Sequence, residues 1–143
     1  MTSSIVTKLA DRQIMGLLYD VMDRARGNFQ NVAGEFDLTA PQARALLYLG
    51  VASPMRALAD YLSCDASNIT GIADRLQARG LVKRGQAEQD RRVKLLVLTP
   101  EGVRIRAQLE QRLAETSPFM AGLSESERAT LQELLSKIAG RAR

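Results

Sequence analysis

Two short stretches hold the side chains with the most chemical reach. Between Asp65 and Gly80, Ser67, Asn68, Thr70 and Arg75 offer hydrogen-bond donors and acceptors, with Arg79 nearer the inward edge. Among them Gly71 and Ala78 leave a bare strip that also carries Asp74. Between Gly85 and Arg92, the run GQAEQDRR ends in two adjacent arginines beside Asp90. Amides, hydroxyls and guanidiniums in this mixture suit base edges and phosphate oxygens. At a loop tip, a short carboxylate can brace one guanidinium while the other stays free for a narrow, strongly negative groove. The spacing does not say which of Arg91 and Arg92 would take which part.

Other chemistries find little material. The 143 residues contain no histidine, which removes the commonest general base and the commonest transition-metal ligand. Cys64 stands alone, so neither an intrachain disulfide nor a cysteine metal cluster can form. No glycine-rich phosphate loop occurs, and the acidic residues form no evident pair. No catalytic residue, metal site or cofactor is therefore assigned. A formal charge of +4 suits a polyanionic partner without establishing one. No apolar run approaches a membrane span or a leader, so a soluble cytoplasmic protein is expected, with no membrane partner.

The elements that must position these residues can be read outward from them. Ile69, Ile72, Ala73 and Leu76 follow helical spacing and take the inward face of a helix over 65–79, capped by Asp65. Gly71 costs such a helix about 1 kcal/mol relative to alanine, so its small size calls for a reason, and close approach to another surface is one. Before it, Ser53 can cap and Pro54 can open a helix carrying Met55, Leu58, Ala59 and Leu62. The turn Ser63-Cys64-Asp65 is so short that the two helices must meet steeply. After it, Gly80 closes the helix as a left-handed cap, and 81–84 and 93–98 read as the strands of a hairpin.

The flanks are helical. Ile14, Leu17, Leu18, Val21, Ala25, Phe29 and Val32 make one stripe of a helix over 8–33, beside a second stripe of Met15, Tyr19 and Met22. The combined arc is wider than one-sided packing needs, so the surplus points to a partner or a ligand, or to deeper burial within its own domain. Thr39 and Gln42 stand at capping-box spacing with Pro41 in the first turn of a support helix bearing Ala43, Leu46 and Leu47. Thr99 and Pro100 open a helix with Ile105, Leu109 and Leu113 that reaches about 117–118. Phe119, Met120 and Leu123 lead to a last helix, capped by Ser124 with Glu127 and striped by Leu131, Leu134, Leu135 and Ile138. The expected fold is mostly α with a small β-hairpin wing. Its parts are an N-terminal helix over 1–36, a winged helix-turn-helix over 37–99 and C-terminal helices over 100–143, all within one compact unit.

From DLTAPQARALLYL through ALADYLSCDASNITGIADRLQARGLVKR to EQDRRVKLLVLTPEG, about half of the chain, the sequence resembles the MarR family of bacterial transcription regulators. Its most specific pieces are the GLVKR strand start and the DRR tip leading into LTPEG. The resemblance implies a triangular homodimer, joined through the first and last helices, on a pseudo-palindromic site in double-stranded DNA. The expectation is a sequence-specific regulator, a repressor relieved by a small molecule or by oxidation. Ser67, Asn68, Thr70 and Arg75 would meet bases or nearby phosphates, with Gly71 permitting approach. Lys83, Arg84 and Lys94 would hold phosphates, and Asp90, Arg91 and Arg92 would form the wing tip. In that family aromatic or phenolic ligands often sit between the dimer helices and the reading head, which makes Met15, Tyr19, Met22 and Tyr48 candidate pocket residues; each also reads as packing. Cys64, ahead of a helix N-terminus that could favour a thiolate, is a candidate redox residue or simply a small turn residue. A competing reading keeps the winged-helix shape as a protein-interaction module, an antirepressor or adaptor, without DNA binding. A thiol enzyme built on Cys64 would lack both a histidine and a resolving cysteine.

Overall fold

The computed structural model describes the chain except residues 1, 51, 118, 120 and 141–143, and describes residues 2–6 by backbone only. Its elements run α1 (Thr2–Glu35), α2 (Ala40–Tyr48), β1 (Ser53–Pro54), α3 (Met55–Leu62), α4 (Ala66–Ala78), β2 (Val82–Gln86), β3 (Lys94–Leu98), α5 (Pro100–Thr116) and α6 (Glu125–Ile138). The architecture is mostly helical with one small antiparallel sheet in the order β1-β3-β2. Pro118 and Met120, part of the link read between the last two helices, lie outside the described residues.

Two compact units form, one from residues 1–26 and 116–143, the other from Gly27–Glu115. Their boundaries fall inside α1 and at the end of α5. In the larger unit the core gathers one inward face from each element: Val32 and Ala33 of α1, Leu46 of α2, Leu58 of α3, Ile69, Ala73 and Leu76 of α4, Val82 and Leu96 of the sheet, and Leu109 of α5. Removing such a leucine would cost roughly 2–5 kcal/mol, so the turns between these elements have little freedom. Ion pairs fasten the rim: Arg112 of α5 grips both carboxylate oxygens of Glu35 at 2.7 and 2.8 Å. That contact holds the Glu35 carboxyl below its usual range.

Local signals set most element ends. Thr39 and Gln42 close a full capping box at the head of α2, and Ser124 and Glu127 do so for α6. Gly80 adopts φ +70 after α4, the left-handed conformation that glycine enters without steric cost. Thr99 joins three pieces: its hydroxyl donates to the Gly80 carbonyl at 2.5 Å and accepts from the Gly102 amide at 3.0 Å. There α5 crosses the base of the wing so closely that a Cβ on Gly102 would lie 1.9 Å from the Leu81 carbonyl oxygen.

One local reading changes. Ser53 does not cap α3; it pairs with Leu96, and Pro54 pairs with Leu95, as a two-residue edge strand. The residue before proline is pushed toward extended backbone, and an edge strand tolerates the missing N–H. Pro54 itself then occupies the cap position of α3, with no side-chain cap bond.

In the smaller unit, Leu17 of α1 is 66% exposed and Ile138 of α6 70%, with Ile14, Val21, Leu134 and Leu135 also open. The parts of the stripes that lie in this unit are thus largely exposed, whereas the far end of the α1 stripe, Phe29 and Val32, packs in the core of the larger unit.

Candidate nucleic-acid interface

The reading helix α4 is built from its cap inward. The Asp65 carboxylate accepts the Asn68 amide at 2.9 Å and the Ser67 hydroxyl at 2.8 Å, and these two bonds, the amide first, hold its carboxyl below the usual aspartate range. With the start pinned, helical spacing buries Ile69, Ala73 and Leu76 and half-buries Ile72. The opposite side, with Ser67, Asn68, Thr70, Gly71, Asp74, Arg75 and Ala78, is exposed. A Cβ added at Gly71 would meet no atom within 4 Å, so nothing in this chain demands a glycine there. Thr70 turns its hydroxyl back to the Ala66 carbonyl at 2.8 Å, which presents its methyl outward.

A groove opens on either side of α4. One, of about 790 Å³, lies between α3, α4 and the wing and includes Arg56, Thr70, Arg84 and Lys94 in its walls. The other, of about 490 Å³, lies against α2 and includes Arg44, Asn68, Gly71 and Arg75. Arg56 was missed in the sequence; it stands on α3, and only the fold brings it to the same groove as Lys94. Among the described residues, Arg75, Lys83, Arg91, Arg92 and Lys94 form no ion pair and donate to no side-chain acceptor, so their charges are unspent.

Three expected roles differ. Arg84 does not present a free guanidinium: it donates to Asp74 and to Gln77 of α4, both at 2.6 Å. Strand alternation explains it, because Arg84 shares the helix-facing side of β2 with buried Val82 while Lys83 takes the other side. Asp90 braces no guanidinium; its carboxylate accepts the Arg92 backbone amide at 3.0 Å, and its carbonyl accepts the Val93 amide at 3.0 Å. A side chain that short reaches its own turn before it reaches an arginine head. Arg79 is also withdrawn, donating to the Asp37 and Phe36 carbonyls at 2.8 and 2.9 Å and closing the end of α1 onto α4.

The residues considered for a ligand or for redox chemistry fall apart by unit. Met15, Tyr19 and Met22 are exposed on α1 in the smaller unit, Tyr19 to 59%. Tyr48 lies in the larger unit, its ring stacked on Tyr61 at 4.4 Å, with Arg44 over Tyr61 at 5.4 Å. Cys64 is half-buried against the core at the turn between α3 and α4, its amide bonded to the Ala59 carbonyl at 3.1 Å. Among the described residues no helix is long and apolar enough to cross a membrane.

The MarR family model matches residues 36–93. The multiple antibiotic resistance protein MarR of Salmonella typhimurium is 32% identical over 127 residues, 85% of this chain and 88% of that protein. The chain belongs to the MarR family. It is a transcriptional regulator of winged helix-turn-helix fold. A Thauera aromatica relative named as a transcriptional regulatory protein for the hcr operon is 37% identical over 83 residues, 57% of this MarR-family chain but only 50% of that protein. A crystal structure of a mutant MarR from E. coli, complexed with operator DNA, matches with a TM-score of 0.69 and 27% identity over 88% of this chain and 93% of that one.

Proposed function

We propose that this MarR-family chain is a homodimeric, sequence-specific DNA-binding repressor whose hold on DNA is released by a small molecule or by oxidation. The observation that carries the DNA reading is the exposed strip of α4, where Gly71 has open space beside it and unspent cations on both flanks. In this reading α4 lies in the major groove. Ser67, Asn68, Thr70 and Arg75 meet base edges and nearby phosphates, and Gly71 and Ala78 let the backbone close in. Lys83 and Lys94 hold phosphates, with Arg56 in the same groove as Lys94, and Arg91 or Arg92 enters the adjacent minor groove. The operator complex of the E. coli relative supports a duplex as the partner.

The dimer is supported by the open leucine and isoleucine stripes of α1 and α6, which a second copy of the same helices would cover. Two reading heads would then address major grooves about one turn, roughly 10 base pairs, apart. A body lying across both grooves keeps other proteins off the duplex, which is repression in its simplest form. For release, Met15, Tyr19 and Met22 offer thioethers and a phenol to an aromatic ligand, with Tyr48 as a candidate on the reading head. Cys64 sits where oxidation would disturb the turn that seats α4.

The test is a salt titration of binding to duplex DNA, with Arg91→Ala plus Arg92→Ala as the variant. Several phosphate contacts give a steep fall of affinity with salt. The double variant should lose affinity and salt dependence while sedimenting as the wild type does. Little binding by the wild type at any salt would replace this reading with the protein-interaction module.

A further inference from the structure

The sign of one contact is unexpected for a DNA-facing surface. Asp74 places a carboxylate on the exposed side of α4, where phosphates would repel it, and Arg84 reaches from β2 to meet it. The second guanidinium nitrogen takes Gln77, one helical turn further along the same face. Both partners remain open to solvent, the Arg84 side chain 34% and the Asp74 side chain 60% accessible, so the pair contributes little to the stability of the fold. Its geometric effect is larger. Behind Arg84, Val82 roots β2 in the core; opposite Arg84 and Gly85, β3 still pairs with β1 on its other edge, and from Gln86 and Lys94 outward β2 and β3 continue as a bare two-stranded ribbon to the tip, which is marginal by itself. From Arg84 to Glu88 the ribbon spans about 13 Å at roughly 3.3 Å per residue. A tilt of about 10° at the root would carry the tip roughly 2 Å, enough to take an arginine out of a narrow groove.

We infer that the Asp74–Arg84–Gln77 contact is a positioning clamp, in which Arg84 serves DNA recognition through Asp74 by fixing the wing's angle to α4 rather than by holding a phosphate. This rests on the DNA reading above for its consequence, but not for its existence. It reverses the simple electrostatic expectation: removing the Asp74 carboxylate takes a negative charge off the reading face, yet it should weaken specific binding.

The experiment compares wild type and Asp74→Ala on three readouts. In the free protein, amide hydrogen exchange along Gln86–Lys94 should quicken in the variant while the buried α4 amides keep wild-type rates. Against a duplex enriched from a random pool, affinity should fall roughly tenfold, the scale of one mismatched base pair. Against random-sequence duplex it should hold or rise, with the salt slope unchanged. Arg84→Lys, which keeps a charge for Asp74, should recover much of what Arg84→Ala loses. Unchanged wing exchange in Asp74→Ala would overturn the clamp whatever the protein binds. Unchanged or tighter binding to the enriched duplex, or a salt slope lowered by about 0.9 in Arg84→Ala alone, would return Arg84 to phosphate binding. A wild type that binds no duplex would remove the DNA reading and leave the clamp to be judged by exchange.

Discussion

Gly71→Ala separates what α4 needs from what its partner needs, because the two should move in opposite directions. A methyl added there meets nothing within 4 Å in the chain, so the folded state accepts it without strain. The helix gains the propensity difference, about 1 kcal/mol in favour of alanine. For a chain of this size that is a rise in melting temperature of about 3–4 °C. In a complex where the bare strip presses on a duplex, the same methyl must be accommodated in a packed interface. Overfilling such a contact costs roughly 1–3 kcal/mol, a loss of about 5- to 150-fold in affinity. Thermal unfolding and anisotropy titration of a labelled duplex, on one preparation, read both numbers. A variant that is more stable and binds DNA as tightly as wild type would mean that no duplex comes near Gly71, and the account of the interface would fail. A variant that is less stable would mean that the strip is covered by protein after all.

Gly102→Ala should behave in the opposite way to Gly71→Ala, since its Cβ would fall 1.9 Å from the Leu81 carbonyl; a loss of roughly 1–3 kcal/mol in a denaturant titration is expected, and wild-type stability would refute the close crossing of α5 over the wing. The cap of α4 should loosen in acid. The Asp65 carboxyl is held down by the Asn68 amide and the Ser67 hydroxyl, so its stabilising effect is complete above the unfolded value of about 3.9 and is lost as pH falls through the lower folded value. The Asn68 amide resonance followed by NMR across that window should report the loss, and Asp65→Asn should flatten the response; a wild-type Asn68 signal indifferent to acid would contradict it. Replacing Arg91 and Arg92 together with alanine should reduce DNA affinity and its salt dependence at unchanged oligomeric state.

Most of the reading helix was legible because its signals are local. Asp65 before an apolar 3.6-residue period, with Gly80 after it, sets a start, a face and an end within one short stretch, and the structure keeps all three. The same holds for the capping boxes at Thr39 and Ser124. What escaped depends on partners distant in the chain. Ser53 has the composition of a cap, and only the arrival of β3 at Leu95 and Leu96 makes it a strand. Arg84 is ten residues from Asp74, and Arg79 lies 42 from Asp37, so spacing could show each as a charge but not as a charge already used. Asp74 was the visible clue: a carboxylate where charge alone disfavours one asks for a neighbouring cation, and local spacing does not say that a strand supplies it. Asp90 failed differently, because its nearest acceptor-hungry groups are the backbone amides of its own turn.

The distribution of spent and unspent charge makes a net +4 sufficient for a polyanionic partner. The arginines of α5 are consumed within the protein: Arg104 by Glu101, Arg106 by Glu110, and Arg112 by Glu35 and Glu115. Asp74 cancels Arg84 in the same way. Among the described residues Arg75, Lys83, Arg91, Arg92 and Lys94 of α4 and the wing are left without an acidic partner, as are Lys8, Arg12, Arg24, Arg44, Arg56 and Lys137 elsewhere. Only such residues can release the counterions of a duplex, because a guanidinium already bonded to a carboxylate has no phosphate charge left to neutralise. Formal charge therefore says little about where DNA would lie, whereas free cations together with the bare strip coincide on α4 and the ribbon beside it. The wing tip holds two of those cations on a turn stiffened by Asp90, at the end of a lever whose angle Asp74 and Arg84 set. An acidic residue on the reading face is thus compatible with DNA binding: the carboxylate costs one local charge and in exchange fixes the direction in which two others point.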